Sequence, residues 1–395
     1  MSHTKASSVR IKPGKPLGKT KGRAMYGDSE KNADMLYATG VFVPDPFFFL
    51  QLRGKKYILV NAMEYSRIKE EAGVDHVFSY DEIMNVPDKN RNKRQRNIAD
   101  ICQALLIKKK IHKIEVPRTF PLGLADDLRE RGFLVHSVPD PFFRARSVKS
   151  AREAALIRKA QQAAEYGMKA AVEALKEARI QAKNNDLILG GERLTSEKMR
   201  GLIHRSILEK KSTAMHTIVA CGRQGYDPHK KGKGPLKSGQ PIIIDIFPRS
   251  DVSGYYGDMT RTFVKGKASE RVRKMHRAVR AAQNFALSEL RPGIDSRKIH
   301  VGVTRLFQSR GFPLKKENGI MTGFIHGTGH GVGLDLHEYP SIGQQACRLA
   351  SGNVVTVEPG LYYPDVGGVR IEDVVWIGPV AVKNLTRFPK YLEIP

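Results

Sequence analysis

The chain has 395 residues, 41% of them hydrophobic, enough for ordinary buried cores in about two domains at roughly 100–200 residues each. Its formal net charge is +27, and its three cysteines (Cys102, Cys221, Cys347) are too few and too scattered for a disulfide framework or a zinc finger, which points to reduced thiols in the cytoplasm. No stretch approaches about 18 consecutive apolar residues, so no transmembrane helix and no membrane partner are expected, and the basic N-terminus lacks the apolar segment of a secretory signal.

Residues 1–24 read as a flexible basic tail. Lys5, Arg10, Lys12, Lys15, Lys19, Lys21 and Arg23 occur there without an acidic residue, among Gly, Pro and Ser. Further basic runs lie at 89–96 (KNRNKRQR) and 108–110. Such surfaces attract polyanions non-specifically through phosphate contacts. As a solvated face they need no partner, and no nucleic-acid-binding motif accompanies them. Residues 25–145 alternate short apolar runs with helical stretches. The segments 46–52 (PFFFLQL) and 57–60 (YILV) read as strands joined by a hairpin-type turn. A helix at 64–72, a strand at 74–78, a helix at 98–109, a strand at 113–116, a helix at 122–131 and a strand at 133–138 complete a small α/β domain.

A junction at 144–150 opens a second domain, 146–395. A long helix is expected from 151 to 179, because Leu156, Ala160, Ala163, Ala164, Met168, Ala171 and Leu175 recur at three- and four-residue steps. Gly167 weakens that helix without ending it. A second helix starts at Thr195 or Ser196. A third spans 269–290 and stops at Arg291-Pro292-Gly293, and a fourth starts at Asp295 or Ser296. Strands are expected at 217–221, 241–247 (PIIIDIF), 255–264 (YYGDMTRTFV), 323–337, 354–363 and 369–377.

Asp245 sits inside a run of isoleucines, where a carboxylate is costly unless paired, hydrogen-bonded or bound to a cation. Asp258 follows at the start of the next strand, and 248–254 (PRSDVSG) has turn chemistry. A hairpin closed there can set the two carboxylates side by side across the ladder, where they repel unless a cation lies between them. Glu358 (in VVTVEPG) and Glu372 (in VRIED) repeat the arrangement around a turn at 364–368. His330 supplies a nitrogen, and the alternating Gly327, Gly329, Gly331 and Gly333 strip side chains from one face of its strand, so that substrate or metal can approach the backbone. Four carboxylates and one imidazole suit a pair of divalent metals: manganese, cobalt, iron or zinc rather than a thiolate-bound ion. Two such ions can share a water, lower its pKa towards roughly 7 and stabilise an oxyanion, and amide hydrolysis is the obvious use.

The segments GDMTRTF (257–263), HGTGHGVGLDLHE (326–338), VEPG (357–360) and RIED (370–373), in this order, resemble the pita-bread metallopeptidases, in the aminopeptidase P and prolidase branch. The likeness covers most of the chain, from about residue 32 to 377. It implies an α/β (α+β) protein: a pita-bread catalytic domain with antiparallel sheet inside and helices outside, preceded by a creatinase-like N-terminal domain. It also implies two divalent ions, manganese first, with Asp258 and Glu372 bridging both, Asp245 on one, and His330 and Glu358 on the other. His229 resembles the family's substrate-contacting histidine, His337 the histidine that helps stabilise the tetrahedral intermediate, and His326 a histidine that closes over the substrate. Arg370 resembles the arginine found beside the second glutamate in the proline-specific branch. The implied activity is a metallo-aminopeptidase, of the Xaa-Pro aminopeptidase or the Xaa-Pro dipeptidase type, cleaving an N-terminal Xaa-Pro bond of peptide substrates through a metal-bridging hydroxide, in a homo-oligomeric cytoplasmic enzyme. Two alternatives stay open. One is a hydrolase of the same fold acting on non-proline dipeptides or another amide. The other is a nucleic-acid- or ribosome-associated binding protein with a residual metal site. The chain departs from the family at Ile246-Phe247, where D-x-G is usual, and at Lys230-Lys231 after His229, where an aromatic is common.

Overall fold

The computed structural model describes residues 21–84, 97–317 and 319–395, which form two compact units divided between Arg144 and Ala145. The basic stretches at 1–20 and 89–96 lie outside the described residues.

The first unit is built on a six-stranded mixed sheet. Its elements are β1 (Lys21–Gly27), α1 (Ala33–Thr39), β2 (Phe47–Leu52), β3 (Lys55–Val60), α2 (Ala62–Glu71), β4 (His76–Ser79), α3 (Tyr80–Met84), α4 (Ile98–Lys108), β5 (Lys113–Pro117), α5 (Leu122–Glu130) and β6 (Leu134–Val138), with strand order β4-β3-β2-β1-β5-β6. Alternation along β2 sends Phe48 and Leu50 to one face, against Leu105, Leu106 and Leu128 of α4 and α5. Phe47 and Phe49 go to the other face, with Met35 and Ile68 of α1 and α2. Residues 21–24 belong to this sheet rather than to a tail. Lys21–Gly27 pairs antiparallel with β2 and parallel with β5, Ala24 and Met25 are wholly buried, and the Arg23 guanidinium lies 4.1 Å from the Phe142 ring centroid. The flanking charge hides a strand that is buried by its neighbours and not by its own hydrophobicity.

The second unit carries α6 (Ala151–Glu177), a small sheet of β7 (Arg179–Ile180), β8 (Leu187–Leu189) and β9 (Glu192–Arg193), then α7 (Ser196–Leu208), β10 (Ser212–Ala214), β11 (Ile218–Cys221), β12 (Ile242–Ile246), β13 (Pro248–Ser250) and β14 (Met259–Lys265). Next come α8 (Glu270–Glu289), α9 (Ser296–Ser309), β15 (Lys315–Glu317), β16 (Ile320–Thr322), β17 (Gly329–Gly331), β18 (Glu338–Ile342), β19 (Val354–Val357), β20 (Gly360–Tyr363), β21 (Gly367–Arg370), β22 (Asp373–Ile377), β23 (Val382–Asn384) and β24 (Glu393–Ile394).

A sheet of order β11-β12-β14-β24 is covered by α6 and α7, whose Met168, Ile203 and Ile207 share a core with Ile242, Ile244 and Phe263. A sheet of order β18-β17-β19-β22-β23 is covered by α8 and α9, whose Val279, Ala282, Ile299 and Val303 pack with Val355, Val357 and Val375. A capping box of Ser150 and Glu153 starts α6. Gly167 stays within it because a Cβ there would come within 2.9 Å of Ile207 Cδ1, so the glycine sets the approach of α6 to α7. From β14 the first of these sheets is tied to the segment running from β21 to β22, β21 itself pairing with β20 in a separate two-stranded sheet: Arg370 N donates to Thr262 Oγ1 at 3.0 Å, and Glu372 N donates to Thr260 O at 3.0 Å.

Four expectations change here. The 248–254 stretch is more than a turn, since Pro248–Ser250 pairs with Ser212–Ala214. The partner strand starts at Met259, after Asp258, and within 323–337 the strand is confined to Gly329–Gly331. The glycines flanking His330 do not open a face to ligand. A Cβ on Gly329 would meet Thr356 O at 2.0 Å and one on Gly331 would meet Glu338 O at 2.5 Å, so they admit the neighbouring strands.

Candidate metal centre

Glu358 and Glu372 occupy the breaks in one interrupted hairpin. Val357 pairs with Asp373 on one side of the break and Gly360 with Arg370 on the other, so the two glutamates stand directly opposite each other in register. The aspartates are arranged differently. Asp245 pairs with Thr260, and Asp258 lies two residues beyond, just past the Ile246–Met259 pair that ends the ladder. The expected side-by-side pair is therefore a diagonal one, because β13 takes up part of the connection.

One ligand-type atom from each of Asp258, His330 and Glu372 lies within 4.8 Å of the others. His330 Nε2 is 3.6 Å from Asp258 Oδ2 and 3.6 Å from Glu358 Oε1. Asp245 joins through Thr260, whose Oγ1 is 2.8 Å from Asp245 Oδ1 and 2.7 Å from Glu372 Oε2. All five residues expected as ligands thus meet at one place in the second unit.

The electrostatics fit a cation. Burial first, and then Glu372, Asp245 and Glu358, push the Asp258 carboxyl well above its ordinary range. Burial, Glu358 and Asp245 do the same to Glu372. Glu358 is pushed up to about 7, by burial first. His330 falls to about 3, mainly through burial and then through His337, so its ring stays neutral. Its Nδ1 lies 3.1 Å from Gly331 O, which only accepts, so Nδ1 carries the proton and Nε2 turns a lone pair towards two carboxylates. Ionised, these carboxylates would repel that lone pair unless something positive lay between them, and this is the tautomer of a metal-ligating histidine. The donor set, hard oxygens and one imidazole, suits divalent ions.

Behind the carboxylate cluster runs a buried polar chain. Arg370 donates from Nη2 to Asp245 Oδ2 (2.8 Å), from Nε to Thr260 Oγ1 (3.1 Å) and from Nη1 to Tyr362 Oη (2.8 Å). Burial alone would lower its pKa, but Tyr362, Asp245, Glu358 and Glu372 together hold it well above the ordinary value. Tyr362 Oη is 2.9 Å from His326 Nε2, and His326 Nδ1 is 2.7 Å from Gly327 O. Gly327 O accepts from Nδ1–H, so Nε2 accepts from the phenol. Both nitrogens of His326 are engaged with protein, a different placement from a histidine free to close over substrate. The His337 ring meets the His330 ring edge-on at 4.1 Å, and its pKa is lowered by burial and then by His229. His229 is exposed, at the end of the 218–229 segment. Thr260 and Tyr362 carry much of this network yet did not stand out as site residues in the sequence, although Thr260 lies inside the GDMTRTF segment. Their one signal was position, two residues after Asp258 and four after Glu358.

The model of metallopeptidase family M24 matches residues 155–379, more than half of the chain. Among curated relatives, an Xaa-Pro dipeptidase of Pyrococcus horikoshii is 28% identical over 366 residues, covering 92% of each chain. One from Pyrococcus furiosus is 30% identical over 290 residues, covering 72% of this chain and 77% of its own. Among solved structures, the X-Pro aminopeptidase of Thermotoga maritima has the same fold, with a TM-score of 0.75 at 22% identity over 94% of this chain and 97% of its own. The convergence of carboxylates and imidazole in a fold shared with such enzymes has one explanation: the chain belongs to metallopeptidase family M24 and is a metal-dependent peptidase.

Proposed function

We propose that the protein hydrolyses the bond between an N-terminal residue and a following proline in short peptides. Two divalent ions, manganese foremost, would be held by Asp245, Asp258, His330, Glu358 and Glu372. The observation that carries this reading is the gathering of Asp258, His330 and Glu372 within 4.8 Å, with the His330 lone pair aimed at carboxylates. Curated relatives named Xaa-Pro dipeptidase support the proline preference. When bound, such ions supply a Lewis acid and an activated water for attack on an amide.

The chain's own residues do the rest. Arg370 holds Asp245 and Thr260 in place and fixes the Tyr362 hydroxyl. Tyr362 donates to His326, so His326 acts by orienting that phenol. His337, neutral beside His330, can donate an N–H to the oxygen of a tetrahedral intermediate. Exposed His229 is available to a substrate carbonyl at the rim. The three cysteines are free, which supports a reducing compartment such as the cytoplasm.

Metal-loaded protein assayed on Xaa-Pro dipeptides, Xaa-Pro-Yaa tripeptides and the matching Xaa-Ala peptides tests this. Cleavage confined to proline substrates is expected, and the two proline series separate a dipeptidase from an aminopeptidase. Equal rates on Xaa-Ala would remove the proline assignment. Full activity in Asp258→Asn or Glu372→Gln would remove the metal centre.

A further inference from the structure

Two glutamines stand within the apolar stripes of the helices that cover the site, and both are wholly buried. Gln161, on α6, takes both backbone groups of Asp258. Asp258 N donates to Gln161 Oε1 at 2.7 Å, and Gln161 Nε2 donates to Asp258 O at 2.8 Å. The side-chain amide thus replaces a strand partner at the residue where the β12–β14 ladder has ended. The same Nε2 reaches Thr386 Oγ1 at 2.9 Å, and that hydroxyl accepts from Val374 N, two residues beyond Glu372. Gly257 permits the grip: a Cβ there would lie 2.7 Å from the backbone of Ala160 and Gln161.

Gln283, on α8, donates from Nε2 to Val357 O (3.1 Å) and to Ile371 O (3.2 Å). These carbonyls belong to the residues immediately before Glu358 and Glu372. One amide therefore spans the interrupted hairpin at the level where both glutamates leave it. Its buried Oε1 has no hydrogen-bond partner among the described residues. An orphaned buried carbonyl opposes stability, so a side chain chosen for stability alone would be apolar here. What Gln283 provides, and an apolar side chain does not, is a pair of donors aimed at the two glutamate strands.

We propose that Gln161 and Gln283 are positioning residues that set the separation of Asp258, Glu358 and Glu372 and thereby the metal affinity of the centre. They touch neither substrate nor reacting atoms. They act on backbone, from the helix side, on three of the five ligand positions, and the inference rests on the metal-centre reading above.

The test uses full-length protein stripped with chelator and titrated calorimetrically with Mn²⁺, with apoprotein melting and kcat and KM recorded alongside. The variants are Gln161→Met and Gln283→Met, which keep side-chain length and lose the amide, with Asp258→Asn as the ligand control. Each methionine variant is expected to bind Mn²⁺ about 10-fold or more weakly. Its apoprotein should melt lower as well, because buried backbone groups lose their partners, and kcat should fall while KM changes little. A lower apoprotein melting temperature with wild-type Mn²⁺ affinity would make both glutamines merely structural and overturn the proposal. If either methionine variant does not fold, the asparagine variant, which keeps the amide one methylene short, is titrated by the same criterion. A wild-type protein that takes up no Mn²⁺, or an Asp258→Asn protein that binds like wild type, overturns the metal-centre reading itself.

Discussion

Arg370 Nη2 donates to Asp245 Oδ2 across 2.8 Å, with both groups buried. Removing the guanidinium leaves a buried carboxylate without its counter-charge, a loss of about 3–5 kcal/mol. Arg370→Met should therefore unfold at clearly lower denaturant. Arg370→Lys keeps a charge but cannot reach Asp245, Thr260 and Tyr362 together. It should retain most of the stability and lose activity by about 10- to 100-fold. Denaturant midpoints and kcat measured side by side check the separation.

The Thr260 hydroxyl has one proton and two carboxylate neighbours, Asp245 and Glu372. Thr260→Val preserves shape and leaves Asp245, Glu372 and the Arg370 Nε without that partner. Expected costs are about 1–3 kcal/mol in stability and about 10- to 100-fold in metal affinity. Wild-type Mn²⁺ binding in this variant would show that the hydroxyl does not orient the ligands.

Chelation should abolish activity, and Mn²⁺, Co²⁺ or Zn²⁺ should restore it to different extents. Metal binds the folded state through side chains that the unfolded chain does not assemble, so loading also raises the melting temperature with metal concentration. Calorimetric melting across a metal series reads this directly, and a flat series would contradict it.

On α8, His276 is brought down to about 4, by burial first and then by Arg280 and Arg261. Its folded pKa is depressed below the ordinary 6.5, so the unfolded chain takes up the proton first as pH falls. The associated stability is complete above 6.5 and is lost between there and about 4, up to roughly 3 kcal/mol at about 1.4 kcal/mol per pH unit. His276→Gln should flatten the acid limb of unfolding free energy against pH in that window, and an unchanged slope would falsify the assignment.

Gly329→Ala introduces a Cβ 2.0 Å from Thr356 O, a backbone atom that cannot turn away. Strand β17 must then move off β19 and carry His330 with it. Activity should be lost with a drop in melting temperature, whereas Gly343→Ala, which meets nothing within 4 Å, should be nearly silent.

What the sequence revealed follows from where it breaks local rules. Asp245 among isoleucines and Glu358 and Glu372 in valine-rich strands stand out because an acid there is costly, and the structure brings all three to one place. The opposition of Glu358 and Glu372 was also legible, since a single short turn fixes that register. The Asp245–Asp258 offset was not, because β13 pairs with β10, which lies far back in the chain. Gln161 and Gln283 resemble interruptions of a stripe until their backbone partners, supplied by remote strands, are known. The Lys21–Gly27 strand is masked by charge for the same reason: its burial comes from β2 and β5.

Asp245 and His330 lie on strands of two different sheets, and the five candidate ligand residues span the chain from Asp245 to Glu372. A cation held among them is therefore a cross-link closing a long loop, one that can be removed and restored without breaking a covalent bond. Separating the sheets would require releasing the ion, so a bound metal would slow protease attack as well as enable turnover. In a cell short of divalent metal, the protein would be lost by degradation as well as by inactivity.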